Sequence, residues 1–346
     1  MSEVHSASAN ILPLYPWQRE AAASLVADRE HWPHALLLTG PRGIGKRALA
    51  DYLAQALLCE QPSADGSPCG VCASCGYVAN SQHPDLRVIE PLQYDEDGNA
   101  SPVDAIVVDR IRELIEFVQL TSHRRGAKLA LIYPAETMNT QAANALLKTL
   151  EEPPPDTHLL LVSHQPGRLP ATILSRCQVK SAPRPTREQA AQWLEGEGIE
   201  AASRVLAQAG GAPLLALGLA DPALQREAQI LLAELARPER LSPVAVGARL
   251  EASPCDERKS KLGDAQYWLI TWTADLAAVC SGGEARFHPE HADALRRLSP
   301  RVVKLSLFRY YQSLLRQRGL LGHPLQPRLV VEALLFEYRL LFTRGN

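Results

Sequence analysis

Through the first half of the chain, short unbroken apolar runs alternate with longer segments in which apolar residues recur every three or four positions. The short runs read as strands: residues 35–39 (ALLLT), 128–132 (KLALI) and 159–163 (LLLVS), while residues 86–89 (LRVI) alternate like a strand. The periodic segments read as helices. Residues 15–26 form one, with Trp17 as a core anchor, and residues 48–58 form another, with Leu49, Leu53, Ala56 and Leu57 on one face. Residues 106–120 follow on the spacing of Ile111, Leu114, Ile115 and Val118, and residues 139–152 are stopped by the prolines at 153–155. Residues 1–14 read as a frayed lead-in, and residues 91–102, with the acidic run 95–97, as a polar surface loop. Pro183-Arg184-Pro185 marks a linker, and Thr186 caps the helix beyond it. From about residue 226 strand-like patterning stops. Leu262, Leu269, Trp272, Leu276 and Val279 recur at helical steps, and Leu329, Ala333, Phe336 and Leu340 repeat the pattern. The aromatics Tyr267, Trp268, Trp272, Phe308, Tyr310, Tyr311 and Phe336 read as core or helix-interface residues.

A chain of 346 residues exceeds one core, since single cores stop growing near about 250–300 residues, so two or three domains are expected. A formal charge of -2 gives no global basic signal; nucleic-acid contact would need a local patch or partners. The longest apolar runs are strand-sized and the N-terminus lacks a signal pattern, which predicts a cytoplasmic protein without a membrane partner.

The run at 35–39 enters a glycine-rich turn and a helix leaves it, the setting of a phosphate-binding loop. Gly40, Gly43, Gly45 and Lys46 fit the G-x-x-x-x-G-K-[ST] pattern, in which backbone N–H groups curl toward phosphate and the ammonium reaches the terminal phosphates. Arg47 stands where a hydroxyl should hold Mg²⁺, and a guanidinium cannot ligate a cation. Two other readings stay open. Residues 43–48 also satisfy G-x-G-x-x-A, but the acidic residue that a dinucleotide site needs about 20 positions on would be Glu60, inside a cysteine-bearing loop. The turn could also bind nothing.

Cys59, Cys69, Cys72 and Cys75 are spaced C-x9-C-x2-C-x2-C, enough thiolates for a closed tetrahedral zinc site. Four sulfurs leave no position for a substrate, so the metal would be structural; free thiols are the alternative. Cys255 and Cys280 read as free.

The strand at 128–132 should end in the acidic residues that hold the Mg²⁺ shell and orient a water, but Tyr133 and Pro134 stand there. Glu136, two residues late, reads as an acid at a helix N-terminus. The string NALLKTLEEPP (144–154) and Ser175-Arg176-Cys177 follow.

Together the loop, the cysteine insertion, NALLKTLEEPP and SRC resemble the clamp-loader branch of AAA+ proteins that serves bacterial DNA polymerase III, firmly over residues 15–220 and by topology beyond. The resemblance implies an α/β fold of three parts. Residues 1–183 would be an AAA+ parallel-sheet domain with a zinc insertion at 59–85, residues 184–225 a small helical lid, and residues 226–346 an all-α collar that assembles. It implies that Arg176 is an arginine finger acting in a neighbouring ATP site. It implies as partners the ATPase (gamma or tau) subunits and the delta subunit in a five-membered ring, and through them the sliding clamp and primed DNA. A lid arginine of that family is expected after Gly211-Ala212-Pro213, where Leu214 and Leu215 stand, so that sensor is expected to be absent; Arg204 stays open as an alternative to it. With Arg47, Tyr133/Pro134 and Leu214 all departing from the pattern, the chain is expected neither to hydrolyse ATP nor to use Mg²⁺, and to be a component of the polymerase holoenzyme rather than an enzyme alone. The competing readings are a self-sufficient ATPase of the gamma/tau type working through Glu136, and a lone zinc-dependent DNA-binding module.

Overall fold

The computed structural model describes residues 10–94, 100–124, 126–255, 257–318 and 326–343, in two compact units, 1–189 and 190–346. The acidic run at 95–97, most of the lead-in and residues 322–325 lie outside the described residues.

In the first unit a single 3-10 turn, Pro16–Gln18, leads into α1 (Arg19–Ala27), then β1 (Ala35–Thr39), α2 (Lys46–Leu58) and α3 (Ala73–Ala79). β2 (Leu86–Ile89), β3 (Leu92–Tyr94), β4 (Ala100–Pro102), α4 (Val108–Gln119), β5 (Lys128–Ile132) and α5 (Thr140–Glu151) follow. β6 (Thr157–Ser163), α6 (Ala171–Leu174) and β7 (Gln178–Ser181) complete the unit. The main sheet has the order β2-β5-β6-β1-β7, and every pairing in it is parallel. β1, next to one edge, is buried at every residue, because α4 and α5 cover the face bearing Leu37 while α2 packs across β1, β5 and β6. Burial on both faces is why β1, β5 and β6 read as unbroken apolar runs, whereas β2, at the edge and partly exposed, alternates.

Two departures from the sequence reading have physical causes. β7 is an edge strand whose four residues are all exposed, so it carries no apolar signal. Residues 92–94 and 100–102, expected as loop, pair as an antiparallel ribbon outside the main sheet. Trp17 is buried as expected.

α7 (Arg187–Gly196) opens with a reciprocal cap, Gln189 N donating to Thr186 Oγ1 at 3.2 Å and Thr186 N to Gln189 Oε1 at 3.0 Å. The second unit is helical throughout: α8 (Ala202–Gln208), α9 (Pro213–Leu219), α10 (Pro222–Leu235), α11 (Pro243–Glu251), α12 (Arg258–Cys280), α13 (Ala292–Leu298), α14 (Lys304–Arg318) and α15 (Pro327–Thr343). α12 is its axis, burying Leu262, Leu269, Trp272 and Leu276 as the spacing predicts. Asp275, also buried, accepts the backbone N–H groups of Arg286, Phe287 and His288 and so fixes the loop before α13.

On α15 the expected stripe is the wrong one. Leu329, Phe336 and Leu340 are 58%, 45% and 48% exposed, Ala333 is exposed with them, and Val331, Leu334, Leu335 and Tyr338 face the core instead. The helix is apolar on two faces, so period alone offers two registers. Tyr338 decides between them: its hydroxyl donates to Leu235 O at 2.8 Å and accepts from Trp272 Nε1 at 2.9 Å, which only the buried register allows. Phe308, expected in the core or an interface, is likewise exposed on α14, beside Leu305 and Leu315.

Candidate functional site

The phosphate loop leaves the carboxyl end of β1 with Gly40, Gly43 and Gly45 all at positive φ. Gly45 is required on a second ground, since a Cβ there would lie 2.5 Å from the Tyr15 ring. The loop's carbonyls are claimed from outside: Trp17 Nε1 donates to Ile44 O at 3.0 Å and Gln18 Nε2 to Gly45 O at 2.7 Å. Lys46, the first residue of α2, folds back so that Nζ donates to Gly40 O and Pro41 O, both at 2.7 Å. Burial lowers its pKa to about 8 against the favourable charge of Glu136. In this state the ammonium fills the loop from within rather than projecting from it.

Arg47 turns away from the loop interior. Its Nε donates to both Asp51 oxygens at 2.9 Å, Nη1 pairs with Glu90 at the end of β2, and the guanidinium lies 5.4 Å from the centre of the Tyr133 ring. Burial works against this charge, and the two carboxylates outweigh it, holding the group firmly protonated. A fixed cation thus joins α2 to the ends of β2 and β5, in the region where the family pattern expects a metal and its acidic partners. Tyr133 is packed edge-on against His164, 5.4 Å between ring centres. Glu136 is an acid in the first turn of a helical segment, as expected, but of a short 3-10 turn rather than of α5. It lies in the 3-10 turn Ala135–Thr137 and accepts His164 N at 3.0 Å, while α5 is capped by Asn139. Its second oxygen is buried without a hydrogen-bond partner among the described residues. Burial, followed by the charge of Lys46, lowers the pKa of His164 to about 4, so its ring is neutral at neutral pH.

At the other end of α2, Cys59 is the C-cap, and its Sγ meets Cys69 Sγ at 3.5 Å and Cys72 Sγ at 3.9 Å. All four sulfurs, that of Cys75 included, lie within 4.8 Å of one another. Four sulfurs around zinc at about 2.3 Å stand roughly 3.8 Å apart, so the donor set fits that ion. Backbone N–H groups of Cys69, Cys72 and Cys75 point at the preceding ligand's sulfur at 3.3–3.4 Å, as thiolates require. The N–H groups of Val71 and Cys72 outweigh burial at Cys69 and bring its thiol down to about 7, whereas burial pushes Cys59 and Cys75 up. Gly66, at φ +83°, lets the insertion pass so close to α1 that a Cβ would lie 2.3 Å from Val26 O. Behind the cluster, Ser74 Oγ donates to Glu60 at 2.9 Å and lies 3.1 Å from His83 Nε2. Cys255 is exposed and Cys280 buried, and no disulfide joins any of the seven cysteines.

Arg176 lies on the turn after α6, a third exposed. Nη1 donates to Thr172 O at 2.9 Å and Ser175 Oγ at 3.3 Å, and Nη2 pairs with Glu151. The register of β1 with β7, Leu36 opposite Gln178 and Thr39 opposite Ser181, places Arg176 before the strands begin and the phosphate loop after they end. The four paired residues alone separate the two by about 13 Å. Sequence reasoning found the loop, the cysteines and Arg176. It missed Trp17 and Gln18 as loop fasteners, Asp51 and Glu90 as partners of Arg47, and Glu151. Of these only Asp51, four residues after Arg47 on one helix, left a local signal. In the second unit Leu214 and Leu215 are half-buried and Arg204 is exposed on α8.

Residues 18–185 match the protein family described as DNA polymerase III, delta subunit. The DNA polymerase III subunit delta' of Pseudomonas aeruginosa is 46% identical over 207 residues, 59% of this chain and 60% of that protein. The Escherichia coli subunit delta' is 38% identical over 214 residues, 59% of this chain and 60% of that protein. The tau subunit from Escherichia coli is 38% identical over 144 residues, 42% of this chain and 20% of that protein. The matched stretch therefore spans 60% of the length of each delta' relative. Residues 18–185 are thus similar to the family described as DNA polymerase III, delta subunit, and the similarity to proteins named delta' runs over a longer stretch than that to the tau subunit.

Proposed function

We propose that this chain is a delta'-like, non-hydrolysing subunit of the DNA polymerase III clamp loader, lending Arg176 to the ATP site of a neighbouring gamma or tau subunit while the sliding clamp is loaded onto primed DNA. The observation that carries the reading is the strand register. It puts Arg176 and the chain's own phosphate loop at opposite ends of the sheet, so the arginine serves another chain's nucleotide or none. A guanidinium presented in trans needs no metal of its own: it offers planar paired donors to the charge that develops on the transferred phosphoryl group. The chain's own loop fits the same division, with Lys46 on loop carbonyls and Arg47 on carboxylates where a metal would be needed.

In this reading residues 1–183 are the AAA+ domain, 184–225 the lid and 226–346 the collar. The stripe Leu329, Phe336 and Leu340 on α15, with Leu305, Phe308 and Leu315 on α14, gives the collar apolar faces to set against the delta subunit and the ATPase subunits of a five-membered ring. Zinc held by Cys59, Cys69, Cys72 and Cys75 is structural, joining the end of α2 to α3. No helix among the described residues is long and apolar enough to cross a membrane, in keeping with a place in the cytoplasm at the replication fork. The protein is then a component of a DNA-directed DNA polymerase assembly, not an enzyme by itself.

The second reading, a self-sufficient ATPase, draws on one feature, the unpartnered Glu136 oxygen near Lys46. Steady-state hydrolysis by the purified chain with ATP and Mg²⁺ separates the two. No turnover above a Lys46→Ala control is expected, and turnover that Lys46→Ala and Glu136→Gln both abolish would establish the ATPase instead.

A further inference from the structure

We propose that Glu151 is a latch on Arg176: its carboxylate parks the guanidinium on this chain, and a phosphoryl group on the neighbouring subunit must displace it before the arginine can act. The inference rests on the reading of Arg176 as a finger. Glu151 is the last residue of α5, where the helix end adds partial negative charge, and α6 packs against α5 so that the turn bearing Arg176 comes to that end. Nη1 is anchored on the turn itself, by Thr172 O and Ser175 Oγ, and Nη2 reaches across to Glu151. A finger works by bringing unneutralised charge to the phosphoryl oxygens, and here a carboxylate already balances that charge.

The latch is built to yield. Arg176 is 33% exposed and Glu151 48%, and ion pairs this open to water are weakly held and screened by salt. A terminal phosphate, with more negative charge and several acceptor oxygens, outbids one carboxylate for the same planar donors. The Nη1 bonds to the turn can persist during the exchange, so the guanidinium swings from Glu151 to its target about an anchored end. Parking would keep Arg176 from promoting hydrolysis in a neighbour that is poorly seated.

The test uses the reconstituted clamp loader, with ATP hydrolysis measured first without clamp and DNA and then with both. Arg176→Ala should lower both rates. Glu151→Gln, which keeps the shape and removes the charge, should raise the clamp- and DNA-free rate by about two- to fivefold, the range that an exposed pair can supply. It should leave the fully stimulated rate unchanged and have no effect in an Arg176→Ala background. Glu151→Asp should fall between Glu151→Gln and the unaltered protein, and the unfolding midpoint of the chain should not move. If Glu151→Gln leaves the unstimulated rate unchanged or lowers it while Arg176→Ala still lowers both rates, the latch is overturned and the finger stands. If Arg176→Ala changes neither rate, the finger reading falls and the latch falls with it.

Discussion

The phosphate loop and the Arg176 turn each carry basic side chains at an end of the same sheet, yet they are held in opposite ways. Lys46 is enclosed by the loop's own carbonyls, and Arg47, about as exposed as Arg176, is engaged on several sides by Asp51, Glu90 and the face of Tyr133. Arg176 has two contacts on its own turn and one solvent-facing carboxylate. Charge held between two carboxylates and a ring braces a fold, while charge countered by a single half-exposed carboxylate is easier for a partner to take. The same residue type, arginine, therefore serves architecture at 47 and, on the function proposed above, a neighbour at 176.

The largest effect should come from the Arg176 turn. With Arg176→Ala in the assembled complex, hydrolysis at the adjoining ATP site should fall by about 10³-fold or more, read by single-turnover kinetics; an unchanged rate would erase the contrast. Next comes the far end of α2, where stripping zinc or making Cys72→Ser should lower the unfolding midpoint of the first unit by roughly 10 °C, as loss of a structural metal does. Hydrogen exchange at the loop should stay slow in that variant, because Trp17, Gln18 and Lys46 close the loop without help from the metal.

A third test is acid–base. The folded pKa of Lys46, about 8, lies below its unfolded value, so between pH 8 and about 10.5 the unfolded chain binds a proton that the folded one does not. Its contribution to stability should therefore rise across that window, by on the order of 3 kcal/mol, and be constant below it. Comparing denaturant midpoints for the unaltered chain and Lys46→Met isolates this residue; equal slopes would mean the ammonium is not enclosed. Smallest is Arg47→Ala, which leaves Asp51 and Glu90 facing each other and should cost about 2 kcal/mol. Arg47→Thr should cost a similar amount and still produce no ATP turnover, because Tyr133 and Pro134 remain.

Much of the first unit was legible because its chemistry is local. Strands covered on both faces spell themselves as unbroken apolar runs, and the cysteine spacing brought the ligands together. The chain's silence was equally physical. β7 has no buried face to leave a pattern, and α15 is apolar on two faces, so its register was settled by the hydroxyl of Tyr338 finding Leu235 and Trp272, partners far away in sequence. The same holds at the sites: the glycines and Lys46 announce a phosphate loop, but Glu90, 43 residues from Arg47, gives no hint that it will take that guanidinium. Motif residues were readable, and the groups that decide what the motif can do were not.

Residues 15–18 fasten a loop that lies well downstream, Trp17 reaching a carbonyl 27 positions ahead of it. During synthesis the clasp therefore leaves the ribosome before the part it closes. As soon as α2 has formed, the loop can be shut by segments already made, without waiting for the remaining strands of the sheet. A chain begun at residue 19 would keep the sequence of β1 and α2 but lose the outside donors to the Ile44 and Gly45 carbonyls, leaving Gly45 O the helical bond from Leu49 N, so residues 15–18 set the resting state of a site they do not belong to.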